Sequence, residues 1–151
     1  MFVPKRVIFE EKSLEYALGN NILEYFSHKN NVEILYSKSG RIVGIPGKSP
    51  EDMYLQGKNT LVVGVRKISN FQSCKPSANY QLPLCSGCMG MCEYCYLNTQ
   101  MGKKPYIKVY VNLDEIFNKA EEYEMERYPD NTVFEGAATS DPVPVEFYTG
   151  A

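Results

Sequence analysis

Short apolar runs alternate with stretches of helical periodicity over the first 75 residues. The apolar runs have the length of single strands and are bounded by polar and turn residues. Three strands are therefore predicted, at residues 6–10, 32–36 and 60–65. The last is apolar almost throughout, as expected for a buried strand. We predict an N-terminal α/β unit over residues 1–75.

Two helices are predicted between these strands. Apolar side chains recur near helical spacing over residues 13–26, with Ser13 as a candidate cap, although Gly19 weakens the middle of the segment. A shorter helix is predicted over residues 50–55, capped by Ser49 and opened by a proline at its first turn. Each helix can cover a strand on either side of it in the sequence.

The second half begins after a polar stretch at residues 69–73. Extended segments are predicted at residues 80–84, 106–111 and 131–136. Asn112 or Asp114 can cap a helix between the last two. This order is the βαβ-like beginning of a (β/α) barrel, which needs ~250 residues when complete. We therefore expect residues 76–151 to hold the start of an incomplete barrel in a chain that is truncated.

Composition and charge narrow the class of protein. The chain is 44% hydrophobic and has a formal net charge of −2, which is typical of a globular protein and not of a disordered one. No apolar run approaches the ~18 residues of a membrane helix, so we expect a soluble intracellular protein with no membrane partner. The first 75 residues carry 11 Lys plus Arg against 7 Asp plus Glu, which makes this half the better candidate for contact with a polyanion.

The cysteines are clustered in one part of the chain. They are Cys74, Cys85, Cys88, Cys92 and Cys95. Chains that form disulfides spread their cysteines over distant segments, so this odd, clustered set indicates metal chemistry in a reducing compartment. The C-x3-C-x2-C spacing of the last three allows their thiolates to hold three irons of a 4Fe-4S cubane and leaves the fourth iron open to a small molecule.

This spacing is the signature of the radical S-adenosylmethionine superfamily, in which an aromatic residue such as Tyr94 usually precedes the last cysteine. The run over residues 95–112 and the Thr-Ser-Asp-Pro sequence at residues 139–142 resemble the spore photoproduct lyase family. These DNA repair enzymes split the thymine dimer formed in ultraviolet-irradiated spores. The resemblance is clearest over residues 80–145 and implies that the barrel is a radical S-adenosylmethionine barrel.

The resemblance also implies roles for individual residues. Three metal ligands are implied: Cys88, Cys92 and Cys95. Ser140 and Asp141 match residues that help to hold the amino acid end of S-adenosylmethionine, and Tyr94 would lie beside its adenine. The deoxyadenosyl radical would abstract hydrogen from the methylene bridge of the lesion, and the bond between the thymines would break. Tyr96 matches a tyrosine that relays hydrogen back toward the cofactor.

One position departs from the family pattern. Many members carry a cysteine immediately before Thr-Ser-Asp as the hydrogen donor to the product radical, and here that residue is Ala138. A methyl C–H bond is far stronger than a thiol S–H bond, so either the chain is altered or another thiol has taken over. Cys85 could be a fourth ligand, a buried thiol or a donor. Our prediction is that Cys74 is the donor.

The implied partners are DNA that contains a thymine dimer lesion and a reducing electron donor such as flavodoxin or ferredoxin. The implied protein is a monomeric enzyme of the cytoplasm, in the spore core. Two alternatives stay open: an iron-sulfur electron-transfer or metal-binding module, and a radical S-adenosylmethionine enzyme with another substrate. A zinc site made of the four loop cysteines is disfavoured, because paired C-x2-C units around one zinc ion usually stand further apart in sequence.

Overall fold

A computed structural model describes residues 2–38, 40–97, 102, 105–136 and 138–150. Its strands are β1 (Arg6–Glu10), β2 (Glu33–Ser37), β3 (Thr60–Gly64), β4 (Tyr80–Gln81), β5 (Cys85–Ser86), β6 (Ile107–Tyr110) and β7 (Phe134–Glu135). Its helices are α1 (Ala17–Ser27), α2 (Pro50–Lys58), α3 (Leu113–Arg127) and α4 (Glu146–Thr149), with 3-10 helices at Glu11–Glu15 and Val143–Val145. Part of the run that carries the family resemblance, residues 98–101, 103 and 104, lies outside the described residues.

The main sheet has five strands in the order β2-β1-β3-β6-β5. The first four are parallel, and β5 runs antiparallel to β6. Every residue of β1 and β3 is buried, because a parallel sheet is covered on both faces. Phe9 and Val63 face a core that includes Phe26 of α1, whereas Ile8 and Val62 pack on the opposite face. The predicted α/β class is confirmed.

The main sheet includes a strand from each half of the chain. Leu61 of β3 pairs with Ile107 of β6, and Gly64 pairs with Tyr110, so β6 belongs to the sheet that the first 75 residues begin. The other two extended segments predicted in the second half contain β4 and β7, which form a separate two-stranded parallel sheet. The division into residues 1–75 and 76–151 stays a prediction, and the hydrogen-bonded ladder of the main sheet extends across it.

The first helix differs from its prediction. Ser13 does not cap α1; it lies in the 3-10 helix, is fully buried, and donates its hydroxyl to the carbonyl of Glu10 at 2.7 Å. The α-helix begins only at Ala17. A Cβ atom on Gly19 would lie 1.9 Å from the Ser13 carbonyl oxygen. Gly19 is therefore the residue that allows the 3-10 turn to pack against α1.

The caps of the next two helices have different outcomes. Ser49 caps α2 as predicted, since its hydroxyl accepts a hydrogen bond from the N–H of Asp52 at 3.2 Å. Asn112 precedes α3, but its side chain makes no capping bond. The amide instead accepts from the N–H of Arg66 at 2.9 Å and donates to the Arg66 carbonyl at 2.9 Å. Asn112 therefore joins the segment after β3 to the start of α3.

The predicted polar linker is packed against α3. Phe71 is buried, and its N–H donates to the Tyr123 hydroxyl at 3.1 Å. Tyr80 of β4 stacks on the same ring, with 4.2 Å between ring centroids. These contacts fix the position of the segment that carries Cys74. Within the described ranges, no helix is both long and apolar enough to cross a membrane.

Candidate iron-sulfur and cofactor site

The cysteine loop leaves the main sheet at β5 and returns to it at β6. These neighbouring antiparallel strands pair Cys85 with Val109 and Ser86 with Lys108, so both ends of the loop are anchored in the sheet. Gly87 follows β5 with a φ of 80°, and a Cβ atom there would lie 2.2 Å from the carbonyl oxygen of Tyr106. Only glycine fits this turn, because the conformation is left-handed and the two backbones approach closely.

The sulfurs of Cys88 and Cys92 border one small space. A Cβ atom built on Gly90 would lie 3.3 Å from Cys88 Sγ and 3.5 Å from Cys92 Sγ. The N–H of Gly90 donates to Cys88 Sγ at 3.3 Å, and the N–H of Cys95 donates to the Cys92 carbonyl at 3.3 Å. Among the described residues, no group of three or more His, Cys, Asp or Glu is close enough together to hold a single metal ion.

The donor set and the space above Gly90 fit an iron-sulfur cluster. Three thiols lie on one short loop, the N–H of Gly90 points at the Cys88 sulfur, and this glycine leaves the space beside two sulfurs open. Amide hydrogen bonds to sulfur are among the interactions that set the properties of such clusters. Cys88 and Cys95 are half-buried and Cys92 is exposed, so the loop is accessible from solvent.

Helix α2 faces the cysteine loop. Lys58, at the end of the helix, is only 4% exposed and donates to the carbonyl oxygens of Cys88 at 2.6 Å and Gly90 at 2.8 Å. Burial lowers the pKa of Lys58, and the negative charges of the loop thiolates oppose this shift. Burial also raises the pKa of Tyr54, and the same thiolates add to that shift. Lys58 therefore joins the end of α2 to the Cys88–Gly90 turn, a contact that the sequence analysis missed.

The segment after β7 lies against the beginning of the cysteine loop. Ser140 forms a parallel bridge with Gly87, and the N–H of Asp141 donates to the Gly87 carbonyl at 3.4 Å. Ser140 is buried and Asp141 is half-buried. The fold thus brings together the predicted cluster loop and the two residues predicted to hold the cofactor.

Cys85 is part of the hydrophobic core. Its side chain is 4% exposed and packs in the cluster that includes Val109. Burial raises the pKa of Cys85, while a hydrogen bond with Ser140 acts in the opposite direction. Of the three roles that the sequence left open for Cys85, this position favours a buried thiol.

The two predicted tyrosines have different surroundings. The Tyr96 hydroxyl donates to the carbonyl oxygen of Ala138 at 2.8 Å, which places the residue after the last loop cysteine against the position that departs from the family pattern. Tyr94 is 99% exposed. Its predicted place beside an adenine therefore stays a prediction.

Cys74 is linked to the strand that leads to Ala138 through Ser77, whose hydroxyl lies 2.8 Å from the Cys74 carbonyl oxygen and 2.7 Å from the Glu135 carboxylate. Burial raises the pKa of the Cys74 thiol, and the charge of Glu135 and a hydrogen bond to it act in the same direction. Glu135, on β7, also accepts from the Ser77 hydroxyl at 2.7 Å. Cys74 and Ala138 are therefore both linked to the chain around the end of β7, and Glu135 is a further residue that the sequence analysis missed.

The fold and the cysteine loop together define a class. A C-x3-C-x2-C loop that joins a parallel α/β sheet and lies next to the first strands of a barrel is typical of radical S-adenosylmethionine proteins. The profile described as Spore photoproduct lyase matches residues 2–151. The chain therefore belongs to the spore photoproduct lyase family.

Three curated relatives are named spore photoproduct lyase. The protein of Clostridium acetobutylicum is 63% identical over 147 residues, which is 97% of this chain and 44% of the relative. Those of Geobacillus sp. and Bacillus subtilis are 50% and 46% identical over 149 residues, 98% of this chain and 43% of each relative. The chain thus spans less than half of the length of these relatives.

Solved structures of spore photoproduct lyase have the same fold. One is a double mutant in which a cysteine is changed to alanine and a serine to cysteine, and it has bound AdoMet and dinucleoside spore photoproduct. Its TM-score is 0.94 at 51% identity, over 99% of this chain and 44% of that chain. Another, complexed with dinucleoside spore photoproduct, has a TM-score of 0.93 at 50% identity, over 98% of this chain and 44% of that chain.

Proposed function

We propose that this chain provides the cluster-binding part of a radical S-adenosylmethionine lyase that reverts the spore photoproduct in DNA to two thymines. The observation that carries the proposal is the position of the C-x3-C-x2-C loop beside Ser140 and Asp141, in a chain of this family. The substrate would be DNA that contains the lesion, and electrons would come from a donor such as flavodoxin or ferredoxin. The enzyme would act as a monomer in the cytoplasm of the spore core.

Cys88, Cys92 and Cys95 would hold the 4Fe-4S cluster through their thiolates. When bound, the cluster would supply one electron for the reductive cleavage of S-adenosylmethionine. Ser140 and Asp141 would orient the amino acid end of that cofactor, since they lie against the first turn of the loop. Tyr94 would cover the adenine.

Cys74 would return a hydrogen atom to the product radical. Its S–H bond breaks, a C–H bond forms on the thymine, and a thiyl radical stays on the protein. The Tyr96 hydroxyl would then give its hydrogen atom to that sulfur and recover one from 5′-deoxyadenosine, which balances the cycle. Burial and Glu135 both support this role of Cys74, because they raise the pKa of the thiol and so keep the S–H bond that hydrogen transfer requires.

The mutated positions in the solved structures support the assignment of Cys74 and Tyr96. In the double mutant, the serine changed to cysteine and the cysteine changed to alanine are separated by the same number of residues as Cys74 and Ala138. One single mutant has a tyrosine changed to phenylalanine, and another has a cysteine changed to alanine. These two positions are as far apart in sequence as Tyr96 and Ala138 are here. This chain carries in its own sequence the pair of residue types that the double mutant carries by substitution.

The experiment tests Cys74 in a chimera in which this chain is continued by the part of the Clostridium acetobutylicum relative that it does not cover. With Cys74→Ala, we expect the yield of two thymines from the lesion to fall on the order of tenfold or more and trapped radical adducts to appear. Adding Ala138→Cys should restore clean repair, and Cys85→Ala serves as the matched control. Clean repair by the Cys74→Ala chimera would remove Cys74 from the mechanism.

The alternative classes are separated by the cofactor. Incubation of the parent chimera with S-adenosylmethionine and dithionite should release 5′-deoxyadenosine if the chain is part of a radical enzyme. A module that only transfers electrons or binds metal would release none. Release of 5′-deoxyadenosine without repair of the lesion would indicate a radical enzyme with another substrate.

A further inference from the structure

Lys58 is a buried cation whose hydrogen bonds join α2 to the cysteine loop. Its ammonium group donates to the carbonyl oxygens of Cys88 and Gly90, which are 30 and 32 residues further along the chain. It also lies over the Tyr54 ring, 5.4 Å from the ring centroid, which is within the ~6 Å of a cation–π contact. Lysine is rarely buried to this degree unless it is paired, because removing an ammonium group from water is costly.

The two hydrogen bonds hold the part of the loop that borders the sulfurs. One carbonyl belongs to Cys88, the first proposed ligand. The other belongs to Gly90, where a Cβ atom would lie 3.3 Å from the Cys88 sulfur and 3.5 Å from the Cys92 sulfur. A single ammonium group bound to both oxygens fixes their separation. It therefore restricts the backbone conformation of the turn that presents these two sulfurs.

The charge of Lys58 acts on the same site. Its nitrogen lies 2.6 Å from the Cys88 carbonyl oxygen and 2.8 Å from the Gly90 carbonyl oxygen, so the positive charge is next to the turn that presents the Cys88 and Cys92 sulfurs. A positive charge attracts a nearby group more strongly when that group carries more negative charge, and the attraction is larger in a partly buried site than in water. Reduction of a cluster adds one negative charge to it, so a fixed cation beside the loop would favour the reduced form.

We propose that Lys58 is a positioning residue for the cluster of the proposed function: it fixes the Cys88–Gly90 turn through two carbonyl hydrogen bonds, and its charge favours reduction of the cluster. The inference rests on the proposed function, because it requires a cluster on Cys88, Cys92 and Cys95. It assigns to α2 a part in both the retention and the reduction of that cluster.

The test uses the anaerobically reconstituted chain in three variants. Lys58→Met keeps a similar apolar stem and removes the charge, while Lys58→Arg keeps the charge. Lys29→Met is the matched control, since Lys29 also lies over a tyrosine ring, 5.0 Å from the centroid of Tyr25, but follows α1 instead of α2. Thermal unfolding of each apo variant verifies that it is folded before it is compared.

For Lys58→Met, we expect the ratio of reduced to oxidised cluster at a fixed applied potential to fall at least about threefold, and iron to be lost to a chelator at least about threefold faster. Lys58→Arg should keep the reduction ratio within about threefold of the parent, and Lys29→Met should change neither quantity. The proposal is overturned if Lys58→Met changes either quantity by less than about threefold. It is also overturned if Lys58→Arg lowers the reduction ratio as much as Lys58→Met does.

Failure of this inference is distinct from failure of the proposed function. A parent chain that binds no iron-sulfur cluster after reconstitution contradicts the proposed function itself. A parent chain that binds the cluster, with Lys58→Met equal to it in reduction ratio and iron loss, overturns only the role of Lys58. If Lys58→Met does not fold, Lys58→Arg decides: a reduction ratio more than about threefold from that of the parent overturns the proposal, and a smaller difference supports it.

Discussion

The ion pair between Glu10 and Lys108 connects the first strand of the main sheet to the strand that follows the cysteine loop. Lys108 Nζ lies 2.5 Å from Glu10 Oε1, and the side chains are 16% and 10% exposed. The pair extends across β3 at Gly64, where a Cβ atom would lie 2.4 Å from Glu10 Oε2 and 2.6 Å from Lys108 Cε. We predict that Lys108→Met destabilises the chain strongly, because it leaves the Glu10 carboxylate buried without its cation.

The expected magnitude follows from this burial. Removing one partner of a buried pair costs about 3–5 kcal/mol, and the partial exposure of both side chains here places the expected loss near the lower bound, about 3 kcal/mol. Native proteins have free energies of unfolding of about 5–15 kcal/mol, so a loss of this size is a large fraction of the total. The double variant Glu10→Met/Lys108→Met should be more stable than Lys108→Met alone, since it leaves no unpaired charge.

Urea unfolding followed by far-ultraviolet circular dichroism measures these differences. Lys119→Met is the matched control: Lys119 and Glu122 are also 2.5 Å apart, but their side chains are 23% and 59% exposed, so we expect little change. The reasoning is refuted if Lys108→Met lies within about 1 kcal/mol of the parent, or if the double variant is no more stable than the single one.

Two further predictions concern a helix cap and a buried phenol. Ser49→Ala removes the cap of α2, so we expect a loss of about 1 kcal/mol in urea unfolding, with Ser49→Asp close to the parent; equal stability of all three proteins would contradict the capping role. Burial raises the pKa of Tyr148 to about 12. Because the unfolded chain ionises this phenol near pH 10, its contribution to stability is complete below pH 10 and is lost between pH 10 and about 12, at about 1.4 kcal/mol per pH unit. Unfolding measured at pH 9 and 11 should therefore show a smaller alkaline loss in Tyr148→Phe than in the parent, and parallel losses would contradict this origin.

Local pattern predicted those parts of the fold that local interactions determine. The continuous apolar runs of β1 and β3 identified both central strands, and the Ser49-Pro50 pair identified the start of α2. The start of α1 was wrong, because Ser13 bonds the Glu10 carbonyl in a preceding 3-10 turn instead of capping the helix. A serine followed by apolar residues at helical spacing is compatible with both structures.

Contacts between segments that are distant in sequence could not be predicted from local pattern. Lys58 is one of several charged or polar residues near the end of α2 in the sequence, and only the folded chain brings its ammonium group to the loop carbonyls 30 and 32 residues away. In the same way, nothing in the sequence next to Cys74 indicates Glu135. The loop cysteines could be identified because their spacing itself expresses the chemistry, whereas the residues that support them come from other elements.

The central claim is that three loop thiolates bind a 4Fe-4S cluster with one iron free of protein ligands. Mössbauer spectroscopy of the anaerobically reconstituted chain, with and without S-adenosylmethionine, tests it most directly. We expect one iron in four to differ from the others and to shift when S-adenosylmethionine is added, and we expect the cluster to survive Cys85→Ala but not alanine at Cys88, Cys92 or Cys95. Protein that holds only zinc, or a cluster with a thiolate on every iron, would contradict the claim.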